Sequence, residues 1–216
     1  MYRFVAWDFD GTLFDTYPVM AGLFHKQLAE IGIQEPYLEI YRQMKKSMSH
    51  AFRYYRQKYG INEAFLEHYK ESRRALELER CGPYPGIPEL CRRIVETGGQ
   101  NFLYTHRGDS ALLLLEQYSM YDFFTDFITE RHGFARKPSP DALMFLIQKH
   151  DLNPEQTIMI GDRDLDILAA KNAGVHSCFF QDDSKETYEY ADYNIDSFTQ
   201  LETILWGSEK NFRAQG

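Results

Sequence analysis

Two aspartates, Asp8 and Asp10, come directly after a run of aromatic and β-favouring residues at positions 2–7. This run, bounded by the turn residue Gly11, is typical of a buried strand. Carboxylates at the carboxyl end of a strand lie where open α/β sheets bind their ligands. Because like charges this close repel, the pair needs a cation, a shared proton or strong hydrogen-bond donors. Mg²⁺ suits paired carboxylates that must also meet a phosphate group.

Three further sites follow predicted strands or stand where a loop enters a helix: Thr105, Lys137 and the pair Asp162/Asp166. Since the carboxyl ends of parallel strands share one edge of the sheet, these groups can converge. Together they could perform phosphoryl transfer, in which one carboxylate attacks phosphorus and another moves a proton. A hydroxyl and backbone N–H groups can hold the phosphate oxygens, while a lysine balances the negative charge.

Each of these residues also has a purely structural interpretation. Asp8 and Asp10 could accept hydrogen bonds from the N–H groups of a turn. Asp162 could be only a helix N-cap, since aspartate is favoured there. Thr105 alone could be an ordinary strand-end residue, and Lys137 could be exposed to solvent. Their occurrence together, each after a predicted element, favours the chemical interpretation.

The elements that would position these residues alternate between strands and helices after residue 87, which predicts a parallel sheet with helices on both faces. The predicted strands are 2–7, 101–105, 127–129, 157–160, 175–180 and an edge strand at 193–195. The predicted helices are 89–97, 109–118, one that starts at Ser139-Pro140 with serine as N-cap, 163–173 and 197–206. The fold class is therefore α/β, a Rossmann-like doubly wound parallel sheet.

Residues 17–80 differ from this pattern because they are helical throughout, with breaks near 32–36 and 60–62 that give three or four helices. Three prolines and two glycines within residues 81–88 then mark a boundary. We therefore predict an α-helical cap domain inserted into an α/β core. The core domain comprises residues 1–15 and 83–216, and the cap domain comprises residues 16–82.

Composition excludes several classes of protein. The net charge of −8 argues against general nucleic-acid binding. Three cysteines without a CxxC pair make a poor disulfide framework and suggest no zinc site. No apolar signal core precedes Asp8, and the longest aliphatic run, Ala111 to Leu115, is too short to cross a bilayer. We expect a cytoplasmic protein with no membrane partner.

The four motifs in this order resemble the haloacid dehalogenase superfamily, in its phosphatase branch with a helical cap inserted after the first strand. Phosphoglycolate phosphatases and β-phosphoglucomutases have this architecture, and the resemblance covers about residues 2–197. The motifs that carry it are Asp8-Phe9-Asp10-Gly11-Thr12-Leu13, Thr105 after Phe102-Leu103-Tyr104, Lys137-Pro138, and Gly161-Asp162-Arg163-Asp164-Leu165-Asp166.

The resemblance implies a role for each acidic residue of the motifs. Asp8 is the expected nucleophile and a Mg²⁺ ligand. Asp10 is the expected general acid/base, and its backbone carbonyl is a second metal ligand. Asp162 is the remaining protein ligand to Mg²⁺. Asp166 is expected not to bind the metal itself but to orient a metal-bound water or the lysine.

The resemblance also implies how the phosphate is held. Thr105 and the backbone N–H of His106 are the expected phosphate-binding pair, and Lys137 bridges the nucleophile and the phosphate. Thr12 is expected to orient Asp10 and tighten the turn. The dipeptide His106-Arg107 departs from the small or amide residue that is commoner after the threonine. Either side chain could contact the substrate, or both could form a rim that packs on the cap, and we expect no catalytic role for them.

The expected activity is that of a Mg²⁺-dependent phosphatase that hydrolyses a small phosphomonoester through an aspartyl-phosphate on Asp8. A phosphomutase of the β-phosphoglucomutase type shares every core residue and stays open. A non-catalytic binding module is a second alternative, against which the intact Asp8, Asp10, Lys137 and Asp162 argue. The expected partner is a small phosphorylated metabolite, and the sequence allows a monomer or a homodimer.

A basic segment of the cap, Arg42 to Lys58, contains six basic residues and no acidic one. One hypothesis is that Lys45, Lys46 or Arg53 contacts the distal part of an anionic substrate. The alternative, which we slightly favour, is a solvated helix face whose charges meet the acidic core or the acidic residues between Glu63 and Glu79.

Overall fold

The computed structural model describes residues 1–181 and 187–207, and its centre is a six-stranded parallel sheet in the order β3-β2-β1-β4-β5-β6. The strands are β1 (Phe4–Trp7), β2 (Gln100–Tyr104), β3 (Phe124–Ile128), β4 (Thr157–Gly161), β5 (His176–Phe180) and β6 (Tyr193–Ile195). Strands β2 and β3 lie on one side of β1, and strands β4 to β6 lie on its other side. The position between β1 and β4 is therefore the topological switch point at which such sheets bind ligands.

The register of the three middle strands places their carboxyl ends side by side. Trp7, the last residue of β1, pairs with Leu103 of β2 and with Ile160 of β4. The residues that follow these strands therefore emerge at the same edge of the sheet. Trp7 also fixes β1 to β2 through a buried hydrogen bond, because its indole N–H donates to the Asn101 side-chain oxygen at 2.9 Å.

Helices alternate with the strands, which confirms the predicted α/β class. They are α5 (Ile87–Glu96), α6 (Ser110–Gln117), α7 (Asp141–His150), α8 (Asp164–Ala173) and α9 (Phe198–Trp206). The predicted N-cap of α7 was wrong by one residue, because Pro140 occupies that position and the Ser139 hydroxyl accepts only a long hydrogen bond, 3.4 Å, from the Asp141 N–H.

The predicted strand at 127–129 was also displaced, since β3 begins at Phe124. Phe124 and Phe127 stack with their ring centroids 5.9 Å apart. The preceding residues, Tyr121–Phe123, form a short 3-10 helix rather than a continuation of the strand.

Residues Phe14–Gly82 form one compact unit, and Met1–Leu13 with Pro83–Gly216 form another. The first contains α1 (Tyr17–Glu30), α2 (Tyr37–Lys46), α3 (Met48–Tyr59) and α4 (Glu63–Arg80). Buried Phe24 is the centre of its aromatic core, with the rings of Phe52, Tyr55, Phe65 and Tyr69 at centroid distances of 5.9, 5.2, 5.3 and 5.3 Å. The functional division into a core domain and a cap domain stays a prediction, and residues 182–186 and 208–216 of the predicted core lie outside the described part.

Basic residues between positions 42 and 58 form ion pairs with acidic residues of this helical unit, which fits a solvated helix face. Arg42 pairs with Glu39, Arg56 with Glu63, and Lys58 with Glu35. A substrate contact through Lys45, Lys46 or Arg53 stays a prediction. Within residues 1–181 and 187–207, no helix combines the length and the apolar character needed to cross a membrane.

Candidate active site

Lys137 joins the ends of two strands and a helix through its buried ammonium group. Its Nζ donates to Asp8 Oδ1 at 2.6 Å, to Asp166 Oδ1 at 2.7 Å and to the Tyr104 carbonyl at 2.8 Å. The predicted solvent-exposed alternative for Lys137 is therefore excluded, because its side chain has 0% exposure. Asp8 is equally enclosed, and its own N–H donates to the Ile160 carbonyl at 2.9 Å, which continues the pairing of β1 with β4.

Three buried carboxylates meet beside this lysine. Oxygen atoms of Asp8, Asp162 and Asp166 lie within 4.8 Å of one another. Among the residues that the structure describes, none donates a hydrogen bond to Asp8 Oδ2, although that atom is buried. A buried carboxylate oxygen without a donor is costly unless a cation balances it. The donor set, which consists only of hard oxygen atoms, fits a divalent cation of the Mg²⁺ type.

Gly161 explains how Asp166 can reach this group from α8. A Cβ atom built on Gly161 would lie 2.3 Å from Asp166 Cβ, so only glycine at the end of β4 allows this approach. The Arg163 N–H donates to Asp166 Oδ2 at 3.1 Å and fixes the carboxylate at the start of the helix. Asp166 therefore lies beside Asp162 as a potential ligand, as well as binding Lys137.

The electrostatics of the site reflect its burial. Burial and the neighbouring Asp166 carboxylate raise the pKa of Asp8 to about 6, against the lowering effect of Lys137 and Arg163. Burial lowers the pKa of Lys137, but the attraction of Asp166 and Asp8 outweighs it, so that the pKa is raised overall. The lysine is thus a permanent cation between two carboxylates.

Asp10 lies two residues beyond Asp8, and its carboxylate is held by Arg107, for which no catalytic role was expected. Arg107 Nη1 donates to Asp10 Oδ1 at 2.6 Å. The arginine side chain is 5% exposed, its Nη2 donates to the Ser110 hydroxyl at 3.2 Å, and its guanidinium carbon lies 5.2 Å from the centre of the Phe9 ring. The arginine is therefore a fixed, buried partner of the predicted general acid/base.

Thr12 lies in the same turn, but its hydroxyl makes no hydrogen bond to any described residue. Any role of Thr12 in orienting Asp10 therefore does not act through a hydrogen bond from this hydroxyl, whereas Arg107 binds the Asp10 carboxylate directly.

Thr105 follows β2, as predicted, and its hydroxyl accepts a hydrogen bond from the Arg107 N–H at 3.2 Å. The next side chain, His106, has a contact that the sequence did not indicate, because its Nε2 accepts a hydrogen bond from the Lys137 N–H at 3.0 Å. Burial, with the positive charges of Lys137 and Arg136, lowers the pKa of His106 to about 3. A neutral ring therefore anchors the backbone that carries the lysine.

Comparison with known proteins agrees with this geometry. A family model described as "Haloacid dehalogenase-like hydrolase" matches residues 5–180. A solved structure of a hydrolase from Streptococcus pneumoniae TIGR4 is 32% identical, covers 94% of this chain and 98% of its own, and has a TM-score of 0.67.

The curated relatives include phosphoglycolate phosphatases from Vibrio vulnificus and Pseudomonas putida. The one from Vibrio vulnificus (strain CMCP6) is 35% identical over 95 residues, which are 44% of this chain and 42% of the relative, so the match spans less than half of that protein's length. The one from Pseudomonas putida is 29% identical over 183 residues, which are 80% of this chain and 67% of the relative. Because the family model matches most of the chain and its motifs lie at the carboxyl edge of the sheet, this protein belongs to the haloacid dehalogenase-like hydrolase family.

Proposed function

We propose that this protein is a Mg²⁺-dependent phosphatase that hydrolyses a small phosphomonoester, with Asp8 as the nucleophile. The observation that carries the proposal is the buried Asp8 carboxylate, bound on one side by Lys137 and bordered on the other by Asp162 and Asp166. Two relatives named phosphoglycolate phosphatase make phosphoglycolate the first substrate to test.

In the first step, a carboxylate oxygen of Asp8 forms a bond to phosphorus as the bond from phosphorus to the leaving oxygen breaks. A protonated Asp10 gives its proton to that leaving oxygen. The Thr105 hydroxyl and the His106 N–H hold oxygens of the transferring group, and the Lys137 ammonium offsets their charge. A divalent cation held by Asp8, Asp162 and the Asp10 carbonyl would supply further charge neutralisation when bound.

In the second step, Asp10 takes a proton from a water molecule, the water oxygen attacks phosphorus, and the bond to Asp8 breaks. Phosphate leaves, and Asp8 returns as a carboxylate. Arg107 supports this step because its hydrogen bond holds the Asp10 side chain in a fixed orientation. We propose that residues 16–82 act as the cap that excludes bulk water during the first step.

The test is phosphate release from a panel containing phosphoglycolate, sugar phosphates and an aryl phosphate, with Mg²⁺ and with an excess of chelator. We expect release that needs Mg²⁺ and falls at least about 100-fold in chelator, because the buried acidic group then lacks its cation. Release that persists in chelator would contradict the metal dependence. A sugar phosphate that is isomerised without phosphate release would favour the phosphomutase.

A further inference from the structure

Arg163 places a positive charge against all three buried carboxylates. Its Nη2 lies 3.9 Å from Asp8 Oδ2, and its Nε lies 3.9 Å from Asp162 Oδ1 and 3.9 Å from Asp166 Oδ2. These distances exceed those of a hydrogen bond, so the attraction to the carboxylates is electrostatic. The side chain is 17% exposed, and weak screening by water keeps that attraction strong.

The charges of the group show what this arginine does. The three carboxylates carry three negative charges, and Lys137 and Arg163 carry two positive ones. A divalent cation would bind the same carboxylates, close to the Arg163 guanidinium, which stays protonated. Arg163 and the cation therefore repel each other, whereas the phosphate dianion of a substrate is attracted to both.

We propose that Arg163 is a resident counter-cation of the acidic group, which weakens divalent-cation binding and strengthens phosphate binding. This inference rests on the proposed function, because it concerns the metal and the phosphate of the same site. Removal of the arginine charge should therefore have opposite effects on two ligands. The divalent cation should bind more tightly, and phosphate should bind more weakly. An arginine that only supported the fold would, when removed, weaken the binding of both.

The experiment compares Arg163→Met with the wild-type protein. Mn²⁺ is the probe, because it takes the same oxygen ligands as Mg²⁺ and its free ion is measured by electron paramagnetic resonance. Mg²⁺ is then added to displace it. We expect Arg163→Met to bind Mn²⁺ and Mg²⁺ about tenfold more tightly. Inorganic phosphate, titrated at saturating Mg²⁺ by calorimetry, should bind about tenfold more weakly.

Two variants serve as controls. Arg163→Lys keeps the charge and should stay within about threefold of the wild type for both ligands. Arg92→Met removes the same charge from α5, where Arg92 pairs with Glu96 at an exposed position, and should leave both affinities unchanged.

One outcome would overturn the role of Arg163 alone. In it, Asp162→Asn abolishes the Mn²⁺ binding seen in the wild type, but Arg163→Met binds Mn²⁺ no more tightly than the wild type does. A wild-type protein that binds no Mn²⁺, or whose Mn²⁺ binding survives Asp162→Asn, would instead overturn the proposed metal site and this inference with it.

Discussion

Replacement of Asp8 by Asn should reduce phosphate release by at least about 10⁴-fold, because a neutral amide cannot attack phosphorus as a carboxylate does. Asn has nearly the same shape, and Lys137 keeps its hydrogen bonds to Asp166 and to the Tyr104 carbonyl. The variant should therefore remain folded, and the loss should appear in kcat rather than in a lowered melting temperature. The measurement is kcat together with thermal unfolding.

The matched control for Asp8→Asn is Asp122→Asn, which removes one carboxylate from an exposed position of the same compact unit. It should retain wild-type kcat. If Asp8→Asn kept more than a few per cent of the wild-type kcat, Asp8 would not be the nucleophile.

Replacement of Lys137 by Met should lower both stability and turnover. Without the ammonium group, the buried carboxylates of Asp8 and Asp166 face each other with no shared donor, which costs about 3–5 kcal/mol when one partner of a buried ion pair is removed. The measurement is the free energy of unfolding in urea at neutral pH in the absence of metal. Activity should fall at least about 10³-fold, because the charge beside the nucleophile is lost.

Lys149→Met is the matched control. Lys149 lies on α7, its side chain is 48% exposed, and it pairs with Asp126 of β3. Surface ion pairs contribute little, so its unfolding free energy should change by about 1 kcal/mol or less and its kcat should not change. Equal effects of the two lysine substitutions would mean that burial between the carboxylates gives Lys137 no special role.

Local signals in the sequence explain why the fold was predictable. The strands β1, β2 and β4 are short and rich in apolar residues. Asp8, Thr105 and Asp162 follow them directly, and the register of the sheet brings these residues to one edge. One local signal was missed, because the Ser47 hydroxyl accepts a hydrogen bond from the His50 N–H and starts α3 directly after α2.

The contacts that the sequence did not reveal join residues far apart in the chain. Arg107 reaches Asp10 across 97 positions, and the His106 ring binds the Lys137 backbone across 31. The resemblance assigned a role to the backbone of His106 but none to its ring, because the side chains at these two positions depart from the commoner pattern. Such pairings depend on the folded geometry and not on any periodicity along the chain. The catalytic roles of Asp8, Asp10, Lys137 and the other site residues stay predictions.

The central claim is that phosphate passes through Asp8, and trapping the phosphoenzyme tests it most directly. In Asp10→Asn the base of the second step is missing, whereas an aryl phosphate has a good leaving group and needs little acid in the first step. Turnover should fall by about 10²–10⁴-fold while the phosphoenzyme accumulates. After acid quenching, mass spectrometry should find the phosphate on Asp8, and hydroxylamine should remove it. Phosphate on another residue, or turnover of the aryl phosphate with no phosphoenzyme in Asp10→Asn, would contradict the account.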